Sequence, residues 1–297
     1  MTTGDKHIFR QATLIACLFC ALGMTANAQS RQPSFTPDYG QINAVSPEKA
    51  LEILNDFRSR GIDGDYYFDF QLRQRPRASS ETIVTPGRMW GSRNAQGPIT
   101  RITLWPDVPD KELRLLVQNG PDSAIWSYSR NSASAATRLD ATAMFEPLAG
   151  AELTPFVLQM PFIYWDNFVY EGIKPASSNR PAYTFIMRPP PALAAAHPEI
   201  AGVRIYIETA FHAIGKFEIL GPGDQVTKTM TLKETPRING QYIPGKIELR
   251  NERTRDGADL VVKLAAVKLD LPREIFSPEN LSKPVAPPPL ETLWKAP

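Results

Sequence analysis

The chain has 297 residues, with 33 Lys and Arg side chains against 31 Asp and Glu side chains and a formal net charge of +2. This near balance excludes a general nucleic-acid-binding protein, because such proteins neutralise phosphates with clustered basic residues. The length is compatible with a single large all-β domain and is ample for a sizeable core.

The first 28 residues have the anatomy of a bacterial secretory signal. Lys6 and Arg10 form a basic head, an apolar run follows from residue 12 to residue 24, and the sequence ANA at 26–28 offers a cleavage site after Ala28. The apolar run is shorter than the roughly 20 residues that a permanent membrane anchor needs. We therefore expect export to the periplasm, where the cleaved chain would have a net charge of +1 because the leader removes two basic residues and one acidic residue.

Both cysteines, Cys17 and Cys20, lie in this leader. The exported chain would contain neither, although disulfides are permitted in the compartment that it enters. Lipid attachment at Cys17 is the alternative, since residues 14–17 look like a lipoprotein processing box. The very short stretch between Arg10 and Cys17 favours cleavage near Ala28 instead.

Residues 29–45 are polar and turn-rich, which predicts a flexible segment, and a helix is predicted over residues 46–60. Ser46 is a natural N-cap, Pro47 suits the first helical position, and Glu48 complements the helix dipole. Apolar residues form one stripe along this helix, which indicates that the helix covers something apolar. They are Ala50, Leu51, Ile53, Leu54 and Phe57.

Most of the remaining chain alternates between apolar and polar residues, which predicts half-buried strands. We count ten to twelve such segments, about eleven strands, with hairpin signals at residues 221–224, 239–240 and 255–257. Alternation of this kind predicts an antiparallel sheet with one apolar face and one solvated face. The apolar positions include Phe68, Phe70, Leu72, Ile102, Leu104, Leu115, Val117, Trp126, Phe185 and Met187.

The apolar face needs a cover, and the segment from Leu153 to Gly172 is the main candidate for it. This segment is dense in aromatic residues and is interrupted by two prolines, and residues 191–199 can add a short helix. We therefore predict a mainly β fold, with a strongly curved antiparallel sheet closed over by a few helices. A partly filled cavity is expected between them. The aromatic residues of this lid are Phe162, Tyr164, Trp165 and Phe168.

Five segments of the second half resemble the LolA-like outer-membrane lipoprotein-sorting proteins. The most specific are RINGQYIPGKIELRNERTRDGADLVV (237–262) and LPREIFSPENL (271–281), which follow each other with the family's spacing. The others are FIYWDNFVYEG (162–172), AYTFIMRPP (182–190) and the strand pair at 203–232. The resemblance covers residues 46–281. Residues 189–200 look like an insertion, and the proline-rich tail at 282–297 is outside the usual pattern.

This resemblance implies an incomplete β-barrel whose helical lid covers an apolar cavity. It further implies a monomeric periplasmic carrier for lipid or lipoprotein acyl chains, with an inner-membrane transporter or an outer-membrane acceptor as partner. The ligand would contact the fourteen residues given above, ten on strands and four in the lid. Plain core packing is the alternative role for each of them.

Catalytic and metal-binding patterns are absent from the sequence. It has no G-x-S-x-G elbow, and only His197 and His212 remain as histidines after the leader, too few for a zinc site. We therefore predict no catalytic residue, no metal and no cofactor, although a pair of carboxylates across a cleft would leave no motif. The alternative function is an envelope protein-interaction module or an accessory factor of a membrane transporter.

The proline-rich tail at 282–297 has two possible states. Its composition favours a disordered end. Alternatively, Leu290 and Trp294 could dock on a groove of the domain.

Overall fold

The computed structural model describes residues 45–106, 112–130 and 135–296. The predicted leader, its Cys17 alternative and the segment 29–44 lie outside the described residues. No helix within these ranges is long and apolar enough to cross a membrane.

Helix α1 spans Pro47–Ser59, as predicted. The Ser46 hydroxyl accepts a hydrogen bond from the Lys49 N–H and so satisfies one of the free donors at the helix start. Three members of the predicted stripe, Ala50, Leu54 and Phe57, are buried, whereas Leu51 is exposed.

Sixteen strands follow within the described residues. They are β1 (Asp65–Arg75), β2 (Ile83–Asn94), β3 (Gly97–Leu104), β4 (Leu113–Gln118), β5 (Ala124–Ser129), β6 (Thr137–Arg138), β7 (Phe168–Pro175), β8 (Pro181–Met187), β9 (Gly202–Glu208), β10 (Ala213–Leu220), β11 (Val226–Glu234), β12 (Arg237–Ile238), β13 (Gln241–Tyr242), β14 (Lys246–Asn251), β15 (Gly257–Leu269) and β16 (Trp294–Lys295). Strands β12 and β13 form a separate hairpin at Asn239-Gly240.

The other fourteen strands form one antiparallel sheet that is strongly curved but not closed. Its order is β6-β5-β4-β3-β2-β1-β15-β14-β11-β10-β9-β8-β7, with β16 paired to β15. Strand β15 thus joins two meanders, and β6 and β7 are the two edges. The predicted mainly β, curved antiparallel fold is confirmed, and the strand number exceeds the predicted eleven because short strands such as β16 show no alternation.

The lid over the inner face of this sheet consists of α1 and residues 143–165. The second part contains 3₁₀ turns at Ala143–Phe145, Leu148–Gly150 and Pro161–Tyr164, with helix α2 at Pro155–Gln159. Met160 separates α2 from the last turn with a left-handed backbone, φ = 48°. A third helix, α3 (Pro191–Ala196), precedes β9. The prediction that Phe168 belongs to the lid is wrong: it begins the edge strand β7.

The outer face of the sheet is not solvated over its first half, in contrast to the prediction. Residues 271–293 cross strands β1 to β5 and β15 on this face and bury Tyr67, Trp90, Ile99 and Leu116. Arg101 alternates with the predicted inward-facing Ile102 and therefore lies on this outer face, where it is only 1% exposed. The C-terminal segment therefore acts as a second layer on the outside of the sheet.

Arg101 fastens this segment, and no carboxylate of the described residues forms an ion pair with it. Its guanidinium donates hydrogen bonds to the carbonyl oxygens of Ile275 (2.9 Å), Asn280 (3.1 Å) and Leu281 (3.0 Å), and also to that of Lys283. Burial, with a smaller contribution from the charge of Arg114, lowers the pKa of Arg101 to about 10. Four backbone acceptors thus replace the water that this cation loses.

The tail at 282–297 continues the same layer, so the disordered state favoured by composition is not the state observed for residues 282–296. Trp294 pairs with Ala265 and Lys295 pairs with Leu264 of β15, and Leu293 is buried. Trp294 therefore docks, as the alternative predicted, whereas Leu290 remains exposed.

Candidate functional site

The space between the inner face and the lid contains one continuous cluster of buried apolar residues, here called the inner cluster. It contains eleven of the fourteen residues predicted to contact a ligand, and two more pack against it. Nine come from strands: Phe68, Phe70, Leu72, Ile102, Leu104, Leu115, Val117, Phe185 and Met187. Phe162 and Trp165 join them from the lid, and the partly buried Tyr164 and Phe168 pack against the cluster.

Trp126 is the exception, and its predicted position on the inner face is wrong. The β4–β5 register places Trp126 opposite Leu116 and Ile125 opposite Val117. Val117 and Ile125 belong to the inner cluster, so Trp126 points to the outer face with Leu116. Strand β5 alternates as expected, but Ile125 faces the lid and Trp126 faces away from it, which is the reverse of the prediction.

Two glycines of β2 allow the aromatic rings of β1 to lie across the sheet. A Cβ atom on Gly87 would stand 2.4 Å from Cζ of Phe70, and one on Gly91 would stand 1.9 Å from Cζ of Tyr66. Neither distance is possible for a real side chain, so both positions need glycine. These contacts show how closely the inner cluster is packed.

The inner cluster is closed by aromatic contacts between lid and sheet. The ring of Phe162 lies 5.0 Å from that of Phe217 on β10 and 6.2 Å from that of Trp165, both in edge-on arrangements. Such geometries are favourable for aromatic pairs. In this structure the predicted ligand-contacting residues contact one another, and their contact with a ligand stays a prediction.

A cavity of about 560 Å³ lies beside the inner cluster. Its walls are the lid at residues 145–156, the end of β10, the start of β11, and the turn after β14. These strand ends are adjacent because Leu220 pairs with Val226 and Lys228 pairs with Asn251. The cavity therefore lies at one end of the curved sheet, and none of the fourteen predicted residues lines it.

The lining of this end cavity is apolar on one side. Phe145 and Phe156 line it from the lid, Ile200 from the loop before β9, and Ile219 and Val226 from the sheet. Sequence analysis missed all five. Only Phe156 carried a signal, because it lies in the aromatic-rich lid segment; the others come together through strand register.

The rim of the end cavity is charged. Lys228 forms an ion pair with Glu152 at 2.8 Å and donates to the Glu152 carbonyl oxygen, also at 2.8 Å. Glu199 lies 2.8 Å from Nδ1 of His197. Desolvation is the largest single effect on the pKa of the Glu199 carboxyl and acts to raise it. The lowering effects, of which hydrogen bonding to His197 is the largest, together outweigh desolvation, so the pKa is lowered.

Arginine and glutamate side chains complete the rim at the turn after β14. The Glu252 carboxylate accepts a hydrogen bond from Thr229 at 3.1 Å and lies 3.4 Å from both Arg250 and Arg255. Arg253, which is exposed, forms no ion pair with any side chain of the described residues. Its guanidinium is therefore available to a group from solution.

Two hydrogen bonds from one arginine, here called the lid latch, are among the polar contacts that hold the lid. Arg58 of α1 donates to the carbonyl oxygens of Ile163 (2.7 Å) and Trp165 (2.9 Å), which joins the two parts of the lid. Asp56 of α1 lies 3.0 Å from Nδ1 of His212, in the turn between β9 and β10. Burial lowers the pKa of Arg58, since its charge has lost part of its hydration.

Metal-binding geometry does not occur among residues 45–106, 112–130 and 135–296: no group of three or more His, Asp or Glu side chains is placed to hold an ion. His197 and His212 each contact a single carboxylate in separate parts of the fold. The arrangement supports apolar sequestration better than acid–base chemistry.

The fold is an open, strongly curved antiparallel sheet with an apolar inner face and a lid of short helical segments. Comparison with solved structures finds the same fold. A DUF1329 family protein from Desulfovibrio piger matches with a TM-score of 0.65 and 11% identity, over 79% of this chain and 98% of that chain.

Two further solved structures share the fold. A domain described as an outer membrane lipoprotein-sorting protein domain, from Vibrio parahaemolyticus, matches with a TM-score of 0.64 and 15% identity, over 77% of this chain and 96% of that chain. A LolA superfamily protein from Nitrosomonas europaea matches with a TM-score of 0.57 and 14% identity, over 79% and 98%. No family profile and no curated protein sequence matches the chain. The chain thus has the fold of LolA superfamily proteins, which confirms the resemblance at the level of fold.

Proposed function

We propose that this protein is a periplasmic, non-enzymatic carrier that shelters an acyl chain, from a lipid or a lipoprotein, on its way to the outer membrane. The observation that carries the proposal is the inner cluster: one continuous apolar surface formed by an open sheet and a separate lid. An acyl chain is stabilised wherever water is excluded from it, and no catalytic group is needed.

The energies are compatible with a ligand that replaces part of the lid contacts. Each buried methylene group contributes about 0.8 kcal/mol, so a chain of sixteen carbons contributes roughly 10 kcal/mol before ordering costs. The two hydrogen bonds donated by Arg58 together contribute about 1–3 kcal/mol. Burial of a chain can therefore offset an opened lid latch.

The class of cargo rests on the comparisons and the predicted leader. The Vibrio parahaemolyticus domain is described as lipoprotein-sorting, and the predicted leader at residues 1–28 would export this chain to the periplasm. We propose the acyl chains of lipids or lipoproteins as ligand, and an inner-membrane transporter or an outer-membrane acceptor as the exchange partner.

The test is analysis of the lipid that the protein carries. The full chain is expressed with its own leader in a bacterial host, purified from the periplasm without detergent, extracted with organic solvent and examined by lipid mass spectrometry. A periplasmic protein of similar size, purified in parallel, gives the background. We expect acyl lipids in amounts comparable to the protein; extracts no richer than the background would refute the carrier.

The alternative is an envelope interaction module that binds a partner through its sheet edge. Within the described residues, strand β7 pairs with β8 alone, and its Val169 side chain is half exposed, so its outer backbone groups can accept a further strand. Replacing Val169 by Lys, a residue that hinders edge-to-edge pairing, would weaken the binding of a further strand. Loss of partner binding with unchanged lipid content would favour this alternative over the carrier.

A further inference from the structure

The end cavity shares a wall with the inner cluster, because Phe156, Ile200 and Ile219 belong to both. The Phe156 ring lies 4.8 Å from that of Phe145, which also lines the cavity, and 5.7 Å from that of Phe162 within the inner cluster. Phe156 itself is buried. A ligand in the end cavity would therefore contact members of the inner cluster directly.

We propose that the end cavity is the binding site for the head and first methylene groups of a single-chain amphiphile with an anionic head. This inference rests on the proposed carrier function and names the place and the chemistry of binding. The apolar wall formed by Phe145, Phe156 and Ile200 takes the start of the chain, and Arg253 on the rim binds the anionic head.

The sign of the head follows from the charges of the rim. Lys228 is neutralised by Glu152, and the Glu252 carboxylate lies between Arg250 and Arg255. Glu199 is bound by His197. Arg253 is then the charge on the rim with no partner among the described residues, and a guanidinium binds carboxylates and phosphates in preference to neutral heads.

The size of the cavity suits such a ligand. Its volume of about 560 Å³ lies within the range of about 300–1,000 Å³ that is usual for small-molecule sites. Such sites are mainly apolar with a few polar groups that set orientation, as is the case here.

The first test fills the cavity and measures binding of cis-parinaric acid, a fluorescent fatty acid, by the purified protein. Val226 lines the cavity and is partly exposed, so Val226→Trp adds bulk there with little effect on the inner cluster. Val84→Trp is the matched control, because Val84 is exposed on β2 and does not line the cavity. We expect binding at least tenfold weaker for Val226→Trp and unchanged for Val84→Trp.

A second filling variant keeps the test decisive if Val226→Trp lowers the thermal stability. Gln225 is exposed and lines the cavity from the turn before β11, so Gln225→Trp should weaken binding without altering a packed position. If both variants bind the fatty acid as tightly as the wild type does, the proposed site is wrong and the carrier function is unaffected. Absence of binding by the wild type would overturn both.

The last test concerns the head group. Arg253→Gln should weaken binding of the acid about fivefold, because exposed ion pairs contribute up to about 1 kcal/mol, and should leave binding of the methyl ester unchanged. Arg255→Gln, on the same turn but paired with Glu252, is the control. A lysophospholipid compared with the fatty acid distinguishes phosphate from carboxylate heads. Equal affinity of wild type and Arg253→Gln for the acid would overturn the role of Arg253.

Discussion

Arg101 shows why a residue can be read correctly as outward-facing and still be buried. Alternation places it opposite Ile102, on the face away from the lid. The sequence around it says nothing of a cover that arrives more than 170 residues later, from residues 275–283. Prediction from local pattern therefore fails at this residue, since the pattern specifies the face of a strand but not what lies on that face.

Replacement of Arg101 by Met tests the attachment of the C-terminal segment. The variant leaves four carbonyl acceptors without their donor, so we expect the free energy of unfolding to fall by about 2–4 kcal/mol, measured by urea denaturation. Arg250→Met, at an exposed position of β14, is the matched control and should change stability by less than about 0.5 kcal/mol. Equal stability of Arg101→Met and wild type would contradict the attachment.

Glu218 lies at the centre of an ion-pair network on the outer face of β7, β9 and β10. Burial raises the pKa of its carboxyl, but hydrogen bonds from Lys216 (2.9 Å), Arg204 (3.0 Å) and Tyr206 (3.1 Å) outweigh burial and leave the pKa below 4.5. The folded state thus binds this proton less readily than the unfolded state. Its contribution to stability is complete above the unfolded pKa and is lost as the pH falls through the folded one.

The pH dependence of Glu218→Gln follows from that sign. At pH 7 we expect the variant to lose about 1–3 kcal/mol of unfolding free energy, and we expect the difference from wild type to shrink below about pH 4. Urea denaturation at pH 7 and pH 3.5 measures both values. Glu248→Gln is the control, since Glu248 makes only long ion pairs of 3.6 and 3.8 Å. A difference that is constant with pH would contradict the assignment.

At the level of elements, the strands were predictable and the cavity was not. Twelve segments with alternating residues became strands because alternation reports burial on one face. The tail strand β16 has two residues and no periodicity, and Phe168 leaves the lid because β7 extends the sheet at its edge. The end cavity is formed by four separate segments whose proximity depends on register, which composition does not encode.

The lid latch is the element whose strength decides how readily the interior opens. Arg58→Met removes both hydrogen bonds between α1 and residues 163–165. We expect amide hydrogen exchange of residues 156–165 to become about ten- to hundredfold faster, because each 1.4 kcal/mol of lost opening free energy is a factor of ten. Exchange is measured by mass spectrometry of peptides.

Arg60→Met is the control for the lid latch. Arg60 ends the same helix but binds Asp56 within it, at 2.9 and 3.0 Å, and does not contact residues 163–165. Amide hydrogen exchange of residues 156–165 in Arg60→Met should stay close to that of wild type. Unchanged exchange in Arg58→Met would contradict a role of the lid latch in holding the lid closed.

The whole molecule is an open sheet with two covers of different kinds. The outer cover, residues 271–296, is fastened by a buried arginine and by pairing of β16 with β15. The inner cover consists of short helical segments over an apolar surface, with one latch and an adjacent cavity of about 560 Å³. The proposed carrier function requires that the outer layer stays fixed and that the inner layer opens.

Binding stoichiometry tests this account most directly. The detergent-free protein is stripped of lipid, mixed with palmitate below its micelle concentration, and examined by native mass spectrometry. We expect a complex with one palmitate per chain, and a larger bound fraction in Arg58→Met because opening the lid then costs less free energy. A spectrum that contains only the unliganded protein at every palmitate concentration would contradict the account.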